Sequence, residues 1–240
     1  MIKGIGFDSW RRVGPILPAI KVYNIREVDE LIIVDITATE EEREPDYEEI
    51  AEFTLESFIP MTVGGGVTGL NHFKKLLRAG ADKVTVNSAA YHNPDLISQA
   101  ANRFGSQCVV ASIDFQISGT EARCASRSGQ KAHDISPVTW AKELEELGAG
   151  EILLTSVERD GTMDGYNLEV TKAVSEAVQI PVIASGGCGS YHDMHSALTE
   201  GKASAVAAAS IYHFTELTPL GAKEYLQTEG EPVRIPPRML

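Results

Sequence analysis

The chain has 240 residues, of which 43% are hydrophobic and 23% are charged, and its formal net charge is −13. This size and composition are ordinary for one large α/β domain with a full apolar core. The acidic balance argues against a nucleic-acid partner, because binding phosphate backbones takes an excess of Lys and Arg.

Apolar, β-branched runs alternate along the chain with charged, helix-like stretches. In chain order these patterns predict a strand at 31–36, a helix at 46–57, a strand at 59–63, a helix at 70–78, a strand at 83–87, a helix at 94–104, a strand at 108–114, a polar excursion at 117–134, a helix at 137–147, a strand at 151–155, a helix at 168–178, a strand at 181–185, a helix at 192–200, a strand at 204–209 and a helix at 219–226. Continuous apolar strands separated by helices are typical of a parallel sheet covered on both faces, either doubly wound or closed into a barrel.

A repeat with an offset of 121 residues favours the barrel. Glu30-Leu31-Ile32-Ile33 recurs as Glu151-Ile152-Leu153-Leu154, while Ile59-Pro60, Gly65-Gly66 and Gly80 recur as Ile180-Pro181, Gly186-Gly187 and Gly201. Two halves of four βα units close into a (β/α)₈ barrel, so we predict one barrel domain over residues 1–240. The counterpart of strand 108–114 would precede Met1, so the first strand is expected to be missing. Either the true start lies upstream, or the chain is truncated, or residues 1–5 and their surroundings patch the gap.

Two glycine loops are the most informative signal at the C-terminal ends of the strands, where such barrels place their active sites. Residues 63–67 read VGGGV and residues 185–189 read SGGCG. Glycine lets the backbone approach a ligand closely, and the helix that follows favours an anion at its N-terminus. The next strand in each half ends in small polar groups, at Asn87-Ser88 and at Ala209-Ser210. The pair of loops predicts a substrate with a phosphate at each end, although tight turns alone would also explain the glycines.

Carboxylates at strand ends are candidates for acid–base chemistry. Asp114 closes the apolar strand CVVASID and is expected to point into the barrel mouth as a general acid or base, with an ion-paired strand end as the alternative. Asp35 is interpreted as a group that binds or orients a substrate hydroxyl. The segment 159–162 (RDGT) predicts either a loop hinged at Gly161 that closes over the ligand, or a plain surface turn. The excursion 117–134 favours a solvated hairpin, with a lid as the alternative.

Glu30, Lys83 and Glu151 stand at the opposite, N-terminal ends of strands. Their charges predict ion pairs at the barrel floor, and a polar gate for a small molecule is the functional alternative. The sequence predicts no metal and no cofactor, since His192 and His195 have no third ligand in sight and the cysteines fit no metal motif. Apolar runs too short to span a bilayer, and no signal peptide, predict a cytoplasmic protein.

Several segments together resemble the cyclase subunits of imidazole glycerol phosphate synthase, over the range from Lys3 to about Arg234. They are DELIIVDITA, MTVGGGV, LLRAGADKVTVNSAA, FGSQCVVASID, GAGEILLTSVERDGTMDGYN, IPVIASGGCG and EYLQTEGEPVR. The resemblance implies a glutaminase partner that docks at the N-terminal barrel face as a heterodimer and sends ammonia through the barrel. The substrate would be a bisphosphorylated ribulosyl aminoimidazole carboxamide ribotide, and the products imidazole glycerol phosphate and an aminoimidazole carboxamide ribotide.

The resemblance also implies individual roles. Asp114 matches one of two catalytic aspartates, Lys3 matches a loop lysine that encloses the substrate, and the floor charges Glu30, Lys83 and Glu151 match an ammonia gate. Substrate- and phosphate-binding positions are expected at Gly65, Gly66, Asn87, Ser88, Asp160, Gly161, Gly186, Gly187, Ala209 and Ser210, together with the strand-end residues Asp35, Thr155 and Ser185.

Two features depart from the family pattern. The other catalytic aspartate and a gate arginine belong to the strand expected before Met1, and without that aspartate cyclisation should slow by about 10²–10⁴-fold. The segment GFDSWRRVGPILPAIKVYNIREVDEL is similar instead to cyclase homologues that pass ammonia to an activated sugar in surface-polysaccharide synthesis. A sugar-amidating enzyme and a non-catalytic barrel that activates a glutaminase therefore stand as alternatives. The related aldose–ketose isomerase fits the ERDGT and GGCG contexts less well.

Overall fold

The computed structural model describes residues 1–235; residues 236–240, the end of the predicted domain range, lie outside this description. The strands are β1 (Ile2–Ile5), β2 (Asp8–Arg12), β3 (Leu31–Val34), β4 (Met61–Gly64), β5 (Lys83–Val86), β6 (Val109–Ser118), β7 (Glu121–Ser126), β8 (Lys131–Ala132), β9 (Glu151–Ser156), β10 (Val182–Ser185) and β11 (Ala205–Ala207). The helices are α1 (Ile16–Ile25), α2 (Tyr47–Leu55), α3 (Leu70–Arg78), α4 (Ser88–His92), α5 (Asp95–Phe104), α6 (Pro137–Glu146), α7 (Leu168–Ser175), α8 (Tyr191–Thr199), α9 (Ser210–Phe214) and α10 (Pro219–Thr228).

Seven of these strands form one parallel sheet in the order β3-β4-β5-β6-β9-β10-β11. The predicted alternation of strands and helices, and with it the (β/α) barrel architecture, is confirmed. Strands β7 and β8 continue antiparallel from the far end of β6, and β1 and β2 pair with each other in a separate hairpin. No helix in residues 1–235 has the length and apolar character needed to cross a membrane.

Local sequence signals explain where half of the named helices begin. Side chains of Asp46, Ser136, Asn167, Ser190 and Thr218 accept hydrogen bonds from the first turn of α2, α6, α7, α8 and α10, as N-cap residues do. The helices then pack apolar faces on the central strands β4, β5, β6 and β9, whose residues are mostly buried. The largest core cluster joins β4, β5, β6 and β9 to the helices that cover them.

The N-terminal region agrees with the prediction that the first parallel strand is missing, but it contains one helix that was not predicted. Residues 2–12 form the β1–β2 hairpin and add no strand to the parallel sheet, and α1 follows, a helix that the patterns did not predict. Pro15 at its start provides no side-chain cap, its apolar residues follow the helical period only weakly, and Ile20 is its one buried residue. The short helices α4 and α9 were also missed, since five residues give too little periodicity to detect.

Helices close the seam between the two ends of the sheet. Among the described residues β3 pairs only with β4, and β11 only with β10. Elements beside these two strands nevertheless touch, because Tyr23 Oη on α1 lies 3.1 Å from His213 Nε2 on α9. The buried Lys223 of α10 donates to Asp29 Oδ1 at 2.7 Å and to the carbonyl of Glu27 at 2.5 Å, just before β3. The sheet therefore curls into a barrel whose seam is joined by side chains.

Removing the Lys223 ammonium should weaken this seam. We expect Lys223→Met to lower the free energy of unfolding by about 1.5–3 kcal/mol, because two charge-assisted hydrogen bonds are lost at a buried position while the apolar stem is kept. Urea unfolding measures the change. The control Lys202→Met removes a lysine whose ion pair with Glu176 is half exposed, and it should have a much smaller effect. Equal effects of the two substitutions would show that the seam does not depend on Lys223.

Candidate active site

Asp114 lies in the middle of the sheet at the C-terminal end of the parallel strands. It is 9% exposed, and it sits directly opposite Thr155 of β9 in the parallel register and opposite Ala125 of β7. The sequence predicted that Asp114 would end its strand; this is wrong, because β6 runs on to Ser118 and pairs with β7. Burial raises the pKa of Asp114 to about 7, and the charge of Asp160 acts in the same direction, against a hydrogen bond from Asn87.

Asn87 and Ser88 leave β5 next to Asp114. Asn87 Nδ2 donates to Asp114 Oδ2 at 2.7 Å, so the amide orients the carboxylate, a contact that sequence reasoning did not foresee. The other side-chain atom, Asn87 Oδ1, is buried and has no hydrogen-bond partner within residues 1–235. Ser88 Oγ accepts from the backbone N–H of Arg127 at 3.1 Å. The predicted role of this pair in binding phosphate stays a prediction.

The charge of Asp160 reaches Asp114, and the charge of Lys3 reaches Asp160. Burial raises the pKa of Asp160, and the nearby charge of Lys3 lowers it. Burial lowers the pKa of His213 on α9, and the charge of Lys3 lowers it further. The backbone N–H of Gly6 donates to the carbonyl of Asp160 at 2.8 Å. The N-terminal hairpin thus lies over the second half of the mouth.

The two glycine loops make the same contacts in both halves. A Cβ at Gly65 would collide with the carbonyl oxygen of Asp35, and a Cβ at Gly186 would lie 2.6 Å from the carbonyl oxygen of Ser156, 121 residues further on in each case. Both glycines have positive φ, +99° and +87°, a region that disfavours any other residue. Their neighbours Gly66 and Gly187 are equally confined. Close packing on the preceding loop is therefore enough to require these glycines, and ligand binding at the loops stays a prediction.

Asp35 is tied to its own loop. Arg43 Nη1 lies 2.6 Å from Asp35 Oδ2, and the backbone N–H groups of Thr37 and Ala38 donate to Oδ1 at 3.1 and 3.2 Å. Partial burial alone would raise the pKa of Asp35, but these donors outweigh burial and the pKa lies below its usual value. The predicted contact between Asp35 and a substrate hydroxyl stays a prediction. Such a hydroxyl would have to share the carboxylate with Arg43.

The remaining predicted binding positions line the second half. Thr155 and Ser185 lie opposite each other in register, and Ser185 lies opposite Ala207, so the strands bring hydroxyl groups to one level of the mouth. Ser210 is buried at the start of α9, directly after Ala209. Gly161 is no plain surface turn: a Cβ there would collide with the carbonyl oxygen of Gly4, so this glycine lets the N-terminal hairpin approach.

The hairpin that follows Asp114 folds back over the mouth. Cys124, Ala125 and Ser126 of β7 are at most 1% exposed, so the prediction of a solvated hairpin is wrong for its inner end. The turn after β7 contacts the loop after β3, where Ser128 Oγ donates to the carbonyl of Ile36 at 3.1 Å. The dipeptide Ser128-Gly129 was the available sequence signal for this turn.

The three floor charges are brought together at the N-terminal ends of the strands. Lys83 Nζ lies 2.9 Å from Glu30 Oε2 and 2.6 Å from Glu151 Oε1. Desolvation lowers the pKa of Lys83, but the two carboxylates outweigh it and the net shift is upward. Glu151 Oε2 is buried without a hydrogen-bond partner in the part of the chain that the structure describes. The predicted ion pairs are confirmed, and their use as an ammonia gate stays a prediction.

Comparisons with known proteins agree with this architecture. The family model described as "Histidine biosynthesis protein" matches residues 1–218. The chain is similar to "Imidazole glycerol phosphate synthase subunit HisF" of Trichormus variabilis, with 44% identity over 239 residues, covering 98% of this chain and 93% of the relative. The subunits of that name from Microcystis aeruginosa and Nostoc sp. are 44% and 43% identical, over 98% of this chain and 94% and 92% of theirs.

Proposed function

Since the chain belongs to the histidine biosynthesis protein family, we propose that it acts as a cyclase subunit of the imidazole glycerol phosphate synthase type. It would take ammonia from a glutaminase and convert a bisphosphorylated ribulosyl aminoimidazole carboxamide ribotide to imidazole glycerol phosphate. The relatives reported above are named as subunits of that enzyme, and this chain aligns with nearly their full length. The site geometry supports the same assignment.

The observation that carries the proposal is the place of Asp114 between the two glycine loops. In the sheet order β4-β5-β6-β9-β10, the strand of Asp114 is central, and the strands that end in the loops are each two positions away. With about 4.8 Å between strands, each loop stands about 10 Å from the carboxylate along the sheet. A substrate anchored at both ends would place its middle over Asp114.

The state of Asp114 suits this chemistry. Addition of ammonia to a carbonyl carbon and the later loss of water require protons to be given to oxygen and taken from nitrogen. With a pKa of about 7, the carboxyl group is present in both protonation states near neutral pH, so one group can serve as acid and as base. Asn87 fixes its orientation, and the charge of the partly buried Asp160 also acts on Asp114.

A route for ammonia would begin at the floor charges. Three exposed apolar side chains lie on the segments that lead into β3 and β4, at the same end of the sheet. We call them the floor patch: Ile25 (81% exposed), Leu55 (83%) and Phe58 (88%). Asn24 holds the patch together, donating to the carbonyl of Glu56 at 2.7 Å and accepting from the N–H of Phe58 at 3.3 Å. Large apolar side chains exposed together mark interaction surfaces. We propose that the glutaminase docks on this patch, over Lys83.

The test compares two nitrogen sources. With the bisphosphorylated substrate, we expect turnover with ammonium salts alone, and turnover with glutamine only when the glutaminase subunit is added. Phe58→Glu should abolish most of the glutamine-dependent rate, because a charge replaces an apolar docking contact, and leave the ammonium-dependent rate unchanged.

Leu220→Glu provides the matched control. It places the same charge on a partly exposed leucine at the start of α10, away from the floor, and should change neither rate. Absence of turnover from either nitrogen source would refute the cyclase assignment. Turnover of an activated sugar in place of the ribotide would favour the polysaccharide alternative, and glutaminase activation without turnover would favour a non-catalytic barrel.

A further inference from the structure

The turn at residues 127–130, between β7 and β8, covers the first glycine loop. The N–H of Arg127 donates to Ser88 Oγ, after β5, and Ser128 Oγ donates to the carbonyl of Ile36, after β3. In the sheet, β4 lies between β3 and β5, and β4 ends in the glycine loop. A turn that is bonded to the loops on both sides of β4 must pass over the end of β4 itself.

This turn is held in a strained shape. Arg127, Ser128 and Gly129 have consecutive positive φ values of +53°, +54° and +79°. For residues other than glycine the left-handed region costs about 1 kcal/mol or more each, and such strain persists where surrounding contacts impose it, often at functional sites. Here Gln116 Nε2 also donates to the carbonyl of Gly129 at 3.0 Å, and Gln130 hydrogen-bonds to Glu40.

Arg127 is the cation that this turn brings to the mouth. Its side chain is exposed and takes part in no salt bridge among residues 1–235. Two other cations near the first glycine loop are already engaged: Arg43 with Asp35 and Glu41, and Lys75 with Glu44. In an acidic protein whose mouth holds the buried Asp114 and the partly buried Asp160, a nearby positive charge favours the binding of a phosphate dianion.

We propose that Arg127 is a phosphate-binding residue, which pairs with the phosphate at the first glycine loop and so fixes one end of the substrate. The inference rests on the proposed function, which supplies the two-phosphate substrate. Each end of the substrate would then have its own cation. Arg127 would bind the phosphate at Gly65-Gly66, and Lys3 on the N-terminal hairpin would lie at the end near Asp160. An arginine guanidinium offers two parallel N–H donors to phosphate oxygens, whereas a lysine ammonium does not.

Kinetics with ammonium as the nitrogen source test the assignment. Arg127→Gln should raise KM for the bisphosphorylated substrate about 10–100-fold, as expected for losing a hydrogen bond between charged groups, and change kcat little. Arg127→Lys should recover part of the loss. The control Arg123→Gln removes an arginine of the same hairpin that is paired with Glu121 and Asp134, and it should leave KM unchanged.

Calorimetric titration with inorganic phosphate gives a readout that does not depend on turnover. The wild type should bind phosphate more tightly than Arg127→Gln, with equal thermal midpoints for the two proteins showing that the fold is intact. An unchanged KM, or unchanged phosphate binding, in Arg127→Gln would overturn the role of Arg127 and leave the cyclase assignment standing. A wild type that binds phosphate through Arg127 but turns over no ribotide would refute the function while keeping the site.

Discussion

Replacing Asp114 by asparagine is expected to lower ammonium-dependent turnover by about 10²–10⁴-fold, the usual contribution of a general acid–base group. Asparagine keeps the shape of the side chain and can still accept the hydrogen bond from Asn87, so the substrate should bind with nearly unchanged affinity. The loss should appear in kcat, because proton transfer takes place in the transition state.

Asp134→Asn is the matched control for this substitution. Asp134 belongs to the same hairpin region, but its side chain is 94% exposed and pairs with Arg123 at the surface, so its replacement should leave kcat unaltered. If Asp114→Asn retained the wild-type rate, Asp114 would have no part in proton transfer, and the pairing of one carboxylate with two phosphate anchors would have to be abandoned.

The same substitution should make the protein more stable at neutral and alkaline pH. The pKa of Asp114 is about 7 in the folded protein against an ordinary value of 3.8, so the folded state holds this proton more tightly than the unfolded state. The resulting stability is fully present below about pH 4 and is lost as the pH rises to about 7. At pH 8 the ionised carboxylate should destabilise the wild type by up to about 4 kcal/mol, since each pKa unit is worth 1.36 kcal/mol.

Urea unfolding of both proteins at pH 4 and pH 8 measures this difference. Asp114→Asn should match the wild type at the lower pH and exceed it at the higher one. Parallel stability curves would mean that burial does not raise the pKa of Asp114. Together with the kinetic result, a variant that is more stable and inactive would show that the carboxylate is kept for chemistry at the expense of stability.

Much of the barrel was predictable because its signals are local and repeated. Apolar strands before helices, and glycines spaced 121 residues apart, gave the architecture, the two loops and the position of Asp114 in the mouth. The floor charges Glu30, Lys83 and Glu151 were also correctly grouped, since parallel strands bring their N-terminal ends to one face.

The rest of the site depends on tertiary contacts that leave no local pattern. The turn at Arg127 and the hairpin at Lys3 are short, polar segments whose position is set by bonds to Ser88, Ile36 and the loop at Asp160. The position of Asn87 after a strand and beside Ser88 predicts a phosphate ligand. Only the fold shows that the Asn87 amide reaches Asp114. The confinement of Asp35 by Arg43 likewise joins residues eight positions apart through a loop without regular structure.

The seam joined by side chains has a consequence for how the molecule fluctuates. Strand β6 has strand neighbours on both sides at Asp114, whereas β3 and β11 each have one strand neighbour in residues 1–235. Thermal openings should therefore start at the seam and reach the strand of the carboxylate last. The group that moves protons therefore stays on the part of the sheet that opens last, while the seam loosens first.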